Sequence, residues 1–197
     1  MALDDLLYVA PSVSLSNNVN TVEVGTTITS ITFTWTYNKT MTSASINNGV
    51  GAVALSNGSD TITGSWASNE TWTISASDGT NTATASTSIG FYNQRYWGVN
   101  ASATLTTAQI LALGSSEFAT SFGKSINYNC AATNVYPYYA YPAAWGSPSN
   151  VTVGGLAFSD FTLVAQSFTN ASGHVSTYNV IRFNNVQSGA NIAVVWA

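Results

Sequence analysis

An all-β chain is what this sequence predicts, and three observations carry the expectation. Apolar and β-branched polar residues alternate with a period of two over 27–37, TITSITFTWTY. Turn chemistry recurs between such runs, most sharply at Asp78-Gly79 in SDGTN, where Asp-Gly tolerates the positive φ of a tight hairpin. A single stretch, 106–114, has the start and stop signals of a helix.

The totals agree with a folded domain or two. The chain has 197 residues, 45% hydrophobic and 12% aromatic, which is enough to bury a core. Only 6% are charged, against about 25% in ordinary globular proteins; disordered chains are the opposite, charged and poor in rings. With a net charge of −4 and four scattered basic residues, there is no concentrated basic face for nucleic acid. One cysteine, Cys130, excludes a disulfide within the chain. The start, MALDDLLYVAP, has Asp4 and Asp5 and no basic residue, so it does not read as a secretory leader. No apolar run reaches the length of a membrane-spanning helix. These features predict assembly in a cytoplasm, without membrane insertion.

Over 12–90 the strands follow in close order. Ile31, Phe33, Trp35 and Tyr37 share one face of the first long strand, and Thr32, Thr34 and Thr36 the other. Turns at 38–39 and 47–49 bracket MTSASI; TITGSW (61–66), ETWTISAS (70–77) and TATASTSI (82–89) follow, the last two joined by the Asp-Gly hairpin. About seven short strands at this spacing predict an immunoglobulin-like sandwich. It has no cysteine pair, so Trp35 is expected to fill the core.

Gly90 ends that rhythm, and FYNQRYWG (91–98) is richer in rings. A short helix is expected over 107–113, with Thr106 as N-cap, Gln109 completing a capping box, Leu105 and Ile110 as the hydrophobic staple, and Gly114 as the stop. Strands resume at 125–130, 135–141, 150–155, 161–168, 175–183 and 191–197, with turn clusters at 170–173 and 187–190. Residues 91–197 thus predict a second β-sandwich or jelly-roll-like domain. Residues 1–11 form a separate arm. In it Leu3, Leu6, Leu7 and Tyr8 are apolar enough to anchor on a neighbour, and an unfolded tail is the competing reading.

Catalytic chemistry finds no pattern. His174 is the only histidine; it follows Ser172-Gly173 in a turn, and no G-x-S-x-G elbow exists. One Cys and one His cannot hold zinc, and no loop has the acidic spacing for calcium. Glu23, Glu70, Glu117, Asp60, Asp78 and Asp160 are widely separated, so nothing pairs two carboxylates for sugar hydrolysis. No catalytic residue, metal or cofactor is expected. Arg95 and Arg182 lie among rings and amides and read as ties between strands, ahead of ligand binding. Cys130 reads as a small buried hydrophobe.

The segment YPYYAYPAAWG (136–146) offers two readings. Its tyrosines cannot all face one core at a two-residue period, and Pro137 suits an edge strand or a bulge. One set of rings is then expected to pack and the other to show. Exposed, Tyr138, Tyr139, Tyr141 and Trp145, with Tyr96 and Trp97, would make a stacking surface for a sugar. Packing in the core or against a subunit outweighs that reading.

Six segments carry a resemblance. EVGTTITSITFTWTYNKT (23–40), SASDGTN (75–81) leading into SIGFYNQRYWG (88–98), LTTAQILALGSS (105–116), YYAYPAAWG (138–146) and TNASGHVSTYNVIRF (169–183) together resemble small virion appendage proteins of tailed bacteriophages, among them tail-fibre, head-fibre and baseplate-attached modules. The resemblance implies a non-enzymatic structural or decoration protein of the virion, assembled in the host cytoplasm. It also implies contacts with other virion proteins, a homo-oligomer such as a trimer, and attachment to a host surface glycan or protein. It brings no catalytic residue with it. Two other classes stay open: a lectin-like carbohydrate-binding module on the rings above, and a glycan-degrading enzyme acting through Glu117.

Overall fold

A computed structural model describes residues 8–118 and 120–197. Eight strands come first: β1 (Val13–Asn17), β2 (Thr21–Glu23), β3 (Ile28–Tyr37), β4 (Ser43–Ile46), β5 (Gly51–Ala52), β6 (Gly58–Trp66), β7 (Glu70–Ser77) and β8 (Thr82–Tyr92). The predicted alternation in β3 holds: Ile31, Phe33, Trp35 and Tyr37 are buried, and the threonines between them are not. Contacts divide the chain into two units, one of residues up to Val22 with Thr26–Phe91, the other of Glu23–Gly25 with Tyr92–Ala197.

The first unit is an immunoglobulin-like sandwich. Its sheets run β1-β3-β6 and β2-β8-β7-β4-β5. With β1, β3 and β6 as strands A, B and E, and β4, β7 and β8 as C, F and G, each sheet holds the strands that this fold assigns to it. Rings replace the absent disulfide. Trp35 is buried and donates from Nε1 to the Ser56 carbonyl at 3.0 Å. Trp72, which no local signal singled out, is fully buried and packs on Phe33 at 5.2 Å and Trp66 at 6.1 Å.

The Asp-Gly hairpin closes β7 onto β8, with Gly79 at φ +93°. Asp78 organises it. Oδ1 accepts from the backbone of Thr80 (3.0 Å) and Asn81 (2.9 Å), and Oδ2 from Lys39 Nζ (2.7 Å) and Tyr8 Oη (2.8 Å). The Asn81 amide, then Lys39, then the Thr80 amide hold this carboxyl well below the usual range, with a smaller share from Tyr8. A carboxylate depressed in the folded state binds protons more readily when unfolded. Its stabilisation is therefore complete above about pH 4 and lost as pH falls toward the folded value. Thermal unfolding followed from pH 5 to pH 2 is expected to show a falling midpoint, and Asp78→Asn is expected to start lower and fall less steeply. Parallel curves for the two proteins would refute this role.

The second unit contains β9 (Gln94–Asn100), α1 (Thr107–Leu111), β10 (Ser115–Phe118), β11 (Lys124–Cys130), β12 (Tyr136–Pro142), β13 (Val151–Val153), β14 (Leu156–Ala157), β15 (Phe161–Thr169), β16 (Val175–Phe183) and β17 (Ala190–Trp196). One sheet runs β10-β9-β12-β16-β15 and the other β11-β17-β13-β14. Tyr139, Tyr141, Ile181 and Phe183 of the first meet Ile126, Tyr128, Val194 and Trp196 of the second in one core. The other face of the five-stranded sheet is covered too: Tyr96, Tyr138, Ala140, Phe168 and Tyr178 pack beneath Leu105, Ile110 and Leu113. The helix has the expected capping box, with Thr106 Oγ1 accepting from Gln109 N and Gln109 Oε1 from Thr106 N. It ends at Leu111, earlier than expected: Leu113 N bonds the Ile110 carbonyl three residues back, a tighter turn, and β10 begins at Ser115. Glycine is required nearby: a Cβ at Gly98 would lie 2.8 Å from the Gly114 amide nitrogen.

This double cover corrects the reading of the tyrosine run. Every residue of 137–142 is buried. Alternate rings do point to opposite faces, as a strand demands, but each face has its own core. Nor is β12 an edge strand; it lies between β9 and β16. Pro137 is accommodated opposite Val99, one residue before pairing with β16 begins at Tyr138.

Candidate functional site

Burial removes the tyrosines from the alternative stacking surface. Tyr96, Tyr138, Tyr139 and Tyr141 are all buried, the last two completely, while Trp97 and Trp145 are half-buried. The hydroxyls are satisfied internally. Tyr138 donates to the Ser102 carbonyl (2.7 Å), Tyr139 to Phe122 (2.9 Å), Tyr141 to Gly146 (3.0 Å) and Tyr96 to the buried carboxylate of Glu23 (3.3 Å). Burial pushes Tyr138 and Tyr141 up to about 12, so both remain neutral donors. Trp145 stacks on Tyr141 at 6.4 Å. These rings join loops to the sheet; a sugar cannot reach the four tyrosines.

Of the expected anchor, Leu3, Leu6 and Leu7 lie outside the described residues. Tyr8 is 43% exposed, yet its hydroxyl bonds Asp78 and accepts from Asn81 Nδ2 at 2.7 Å, and Lys39 Nζ sits 4.7 Å from its ring centre. It is held by its own unit. His174 is exposed in the β15–β16 turn, its amide donating to Asn170 Oδ1 at 2.8 Å.

Arg95 is a strand tie, as its sequence context suggested. Its Nη1 donates to the carbonyls of Ser121, Phe122 and Gly123 at 3.0–3.2 Å, and its Nε to Glu117 Oε1 at 2.6 Å. Lys124 Nζ takes the other oxygen at 2.7 Å. Burial alone would raise the Glu117 carboxyl, but hydrogen bonds from Lys124 and Arg95 outweigh it and hold it below the usual value. A general acid needs the reverse shift, so the site does not favour Glu117 as the proton donor of a glycosidase.

Arg182 differs. The sequence has four Lys and Arg in all; Lys39, Arg95 and Lys124 have carboxylate partners, whereas Arg182 has none among the described residues. It donates from Nη1 to the Ala103 carbonyl at 2.5 Å, and its guanidinium lies 5.0 Å from the Tyr136 ring centre. It lines a pocket of about 190 Å³ on the helix-covered face of the five-stranded sheet. Another depression, of about 460 Å³, opens beside Trp97, with Ser115, Asn127 and Asn129 on its walls. Lys124 Nζ stands 4.6 Å from the Trp97 ring centre. Sequence reasoning named Trp97 and Arg182 but could not place either in a concavity, because each depression is assembled from strands distant in the chain.

Among the described residues, no three His, Cys, Asp or Glu side chains are grouped to hold a metal, and no helix is long and apolar enough to cross a membrane. No protein-family model matches the chain, and no curated protein matches it. Among solved structures, the crystal structure of the N-terminal eight Ig domains of Down Syndrome Cell Adhesion Molecule, isoform 1.30.30, is similar at 12% identity and a TM-score of 0.27. That match covers 89% of this chain, which spans 23% of that one. The immunoglobulin-like order of the first unit rests on its own strand pairing.

Proposed function

We propose that this chain is a non-enzymatic structural protein of a tailed-phage particle, a fibre, decoration or adaptor module that takes part in attachment to the host surface. The observation that supports it is the use of the aromatic and cationic side chains. Most of the rings singled out by sequence, and Arg95, join strands and loops within their own unit, as suits a rigid building block. The low-charge surface fits a role in which contacts must survive changes in salt. Self-association, with a trimer as the first symmetry to test, belongs to the same reading. The test is mass spectrometry and immunogold labelling of gradient-purified particles, with light scattering on the isolated chain. The chain is expected at fixed stoichiometry and at one place on the particle, and as a homo-oligomer in solution. A chain found in the lysate but absent from particles would sink the proposal.

A lectin-like role is the second reading, and one observation favours it. The depression beside Trp97 sets a half-buried indole next to amide and hydroxyl side chains, the mixture that grips a sugar by its C–H face and its hydroxyls. Glycan-array binding abolished by Trp97→Ala would support it, and an array without hits would remove it.

A further inference from the structure

We propose that the Arg182 pocket is a binding site for a small apolar carboxylate, an aliphatic or aromatic body with one carboxyl group. The inference is independent of the particle assignment.

Strand register builds the pocket. On one face of the sheet, Tyr138, Arg182 and Thr162 stand side by side across β12, β16 and β15, and Ala140, Val180 and Val164 form the next row. Leu105 and the chain before it lie over β12 and β16, held by Gln166 Nε2 on the Leu105 carbonyl (3.2 Å) and by Arg182 on Ala103. This cover does not enclose β15, where Val164 is 51% exposed. The result is a concavity with Val164 and Val180 on its floor, Leu105 on its covering wall and a guanidinium at one end.

Three features choose the ligand. The volume of about 190 Å³ equals about six waters, which suits a body the size of a leucine side chain or a phenyl ring. The floor is predominantly aliphatic, so a polyhydroxylated sugar would lose hydrogen bonds with water and recover few. The guanidinium has no carboxylate partner among the described residues; Nη1 is engaged by the Ala103 carbonyl and Nε is shielded from solvent, so a ligand would meet it through Nη2. An unneutralised guanidinium beside an apolar floor matches a carboxylate on an apolar body. That chemistry occurs in free carboxylic acids and at the C-terminal residue of a peptide.

Calorimetric titration of the whole chain tests it, with 4-methylpentanoate, its amide and N-acetyl-leucine as probes. The carboxylates are expected to bind with Kd of about 5 mM or tighter, and the amide at least about tenfold more weakly. Tighter binding of N-acetyl-leucine would identify a peptide end as the source, and tighter binding of 4-methylpentanoate a free acid. Arg182→Gln should lose the preference for carboxylate over amide. Val164→Trp, at an exposed position that leaves the guanidinium in place, should block all three probes. Equal binding of acid and amide, no binding of either carboxylate, or unchanged affinity in Val164→Trp would overturn the proposal.

Discussion

Trp196→Ala is expected to destabilise the second unit by about 3–5 kcal/mol, a large part of the roughly 5–15 kcal/mol that holds a typical domain. Trp196 is wholly buried, and rings surround it: Tyr139 stacks at 5.5 Å, Phe161 meets it edge-on at 6.0 Å and Phe183 at 6.2 Å. Truncation removes those contacts and leaves a void that three strands must move to fill. The loss is also polar. Trp196 Nε1 donates to the Tyr128 hydroxyl at 3.2 Å, which donates on to the Tyr138 carbonyl at 3.0 Å. Trp196→Phe keeps one six-membered ring but removes the pyrrole part of the indole with its N–H, so it should cost less than the alanine variant, about 1–3 kcal/mol. Urea unfolding followed by near-ultraviolet circular dichroism measures both. Similar midpoints for the two variants would show that packing at this position matters less than its burial implies.

Arg95→Met is expected to cost about 2–4 kcal/mol. Methionine fills part of the volume but leaves the carbonyls of Ser121 and Gly123 without this donor, Phe122 with the Tyr139 hydroxyl alone, and Glu117 with Lys124 alone. Adding Glu117→Leu to Arg95→Met should restore part of the loss, because the carboxylate that lost its partner is then gone as well. A double variant whose loss equals the sum of the two single losses would mean that the two groups act independently.

Local pattern made much of this protein readable before its coordinates. The alternation in β3, the Asp-Gly hairpin and the Thr106–Gln109 capping box depend on residues a few positions apart, and each formed where it was expected. Most strands of the second unit were legible too; β9, largely within the ring-rich run 91–98 that carries no clear two-residue alternation, was not, nor were short ones such as β10 and β14, whose few residues carry no periodic signal. The three-residue piece Glu23–Gly25 belongs to the second unit although its neighbours in sequence belong to the first, and no composition change marks it.

What the sequence determined by itself was that the chain pairs into strands and that its rings supply the core, since period, turn chemistry and the shortage of charge act over a few residues. Only the tertiary structure decided which strand faces are covered. A run such as YPYYAYP has the same alternation whether one side meets water or neither does; placing β12 in the centre of a sheet with a core on each face turned the set of rings expected to show into interior. The same long-range pairing put Arg182 at the end of an apolar pocket, because cross-strand neighbours are chosen by register between segments far apart in the chain.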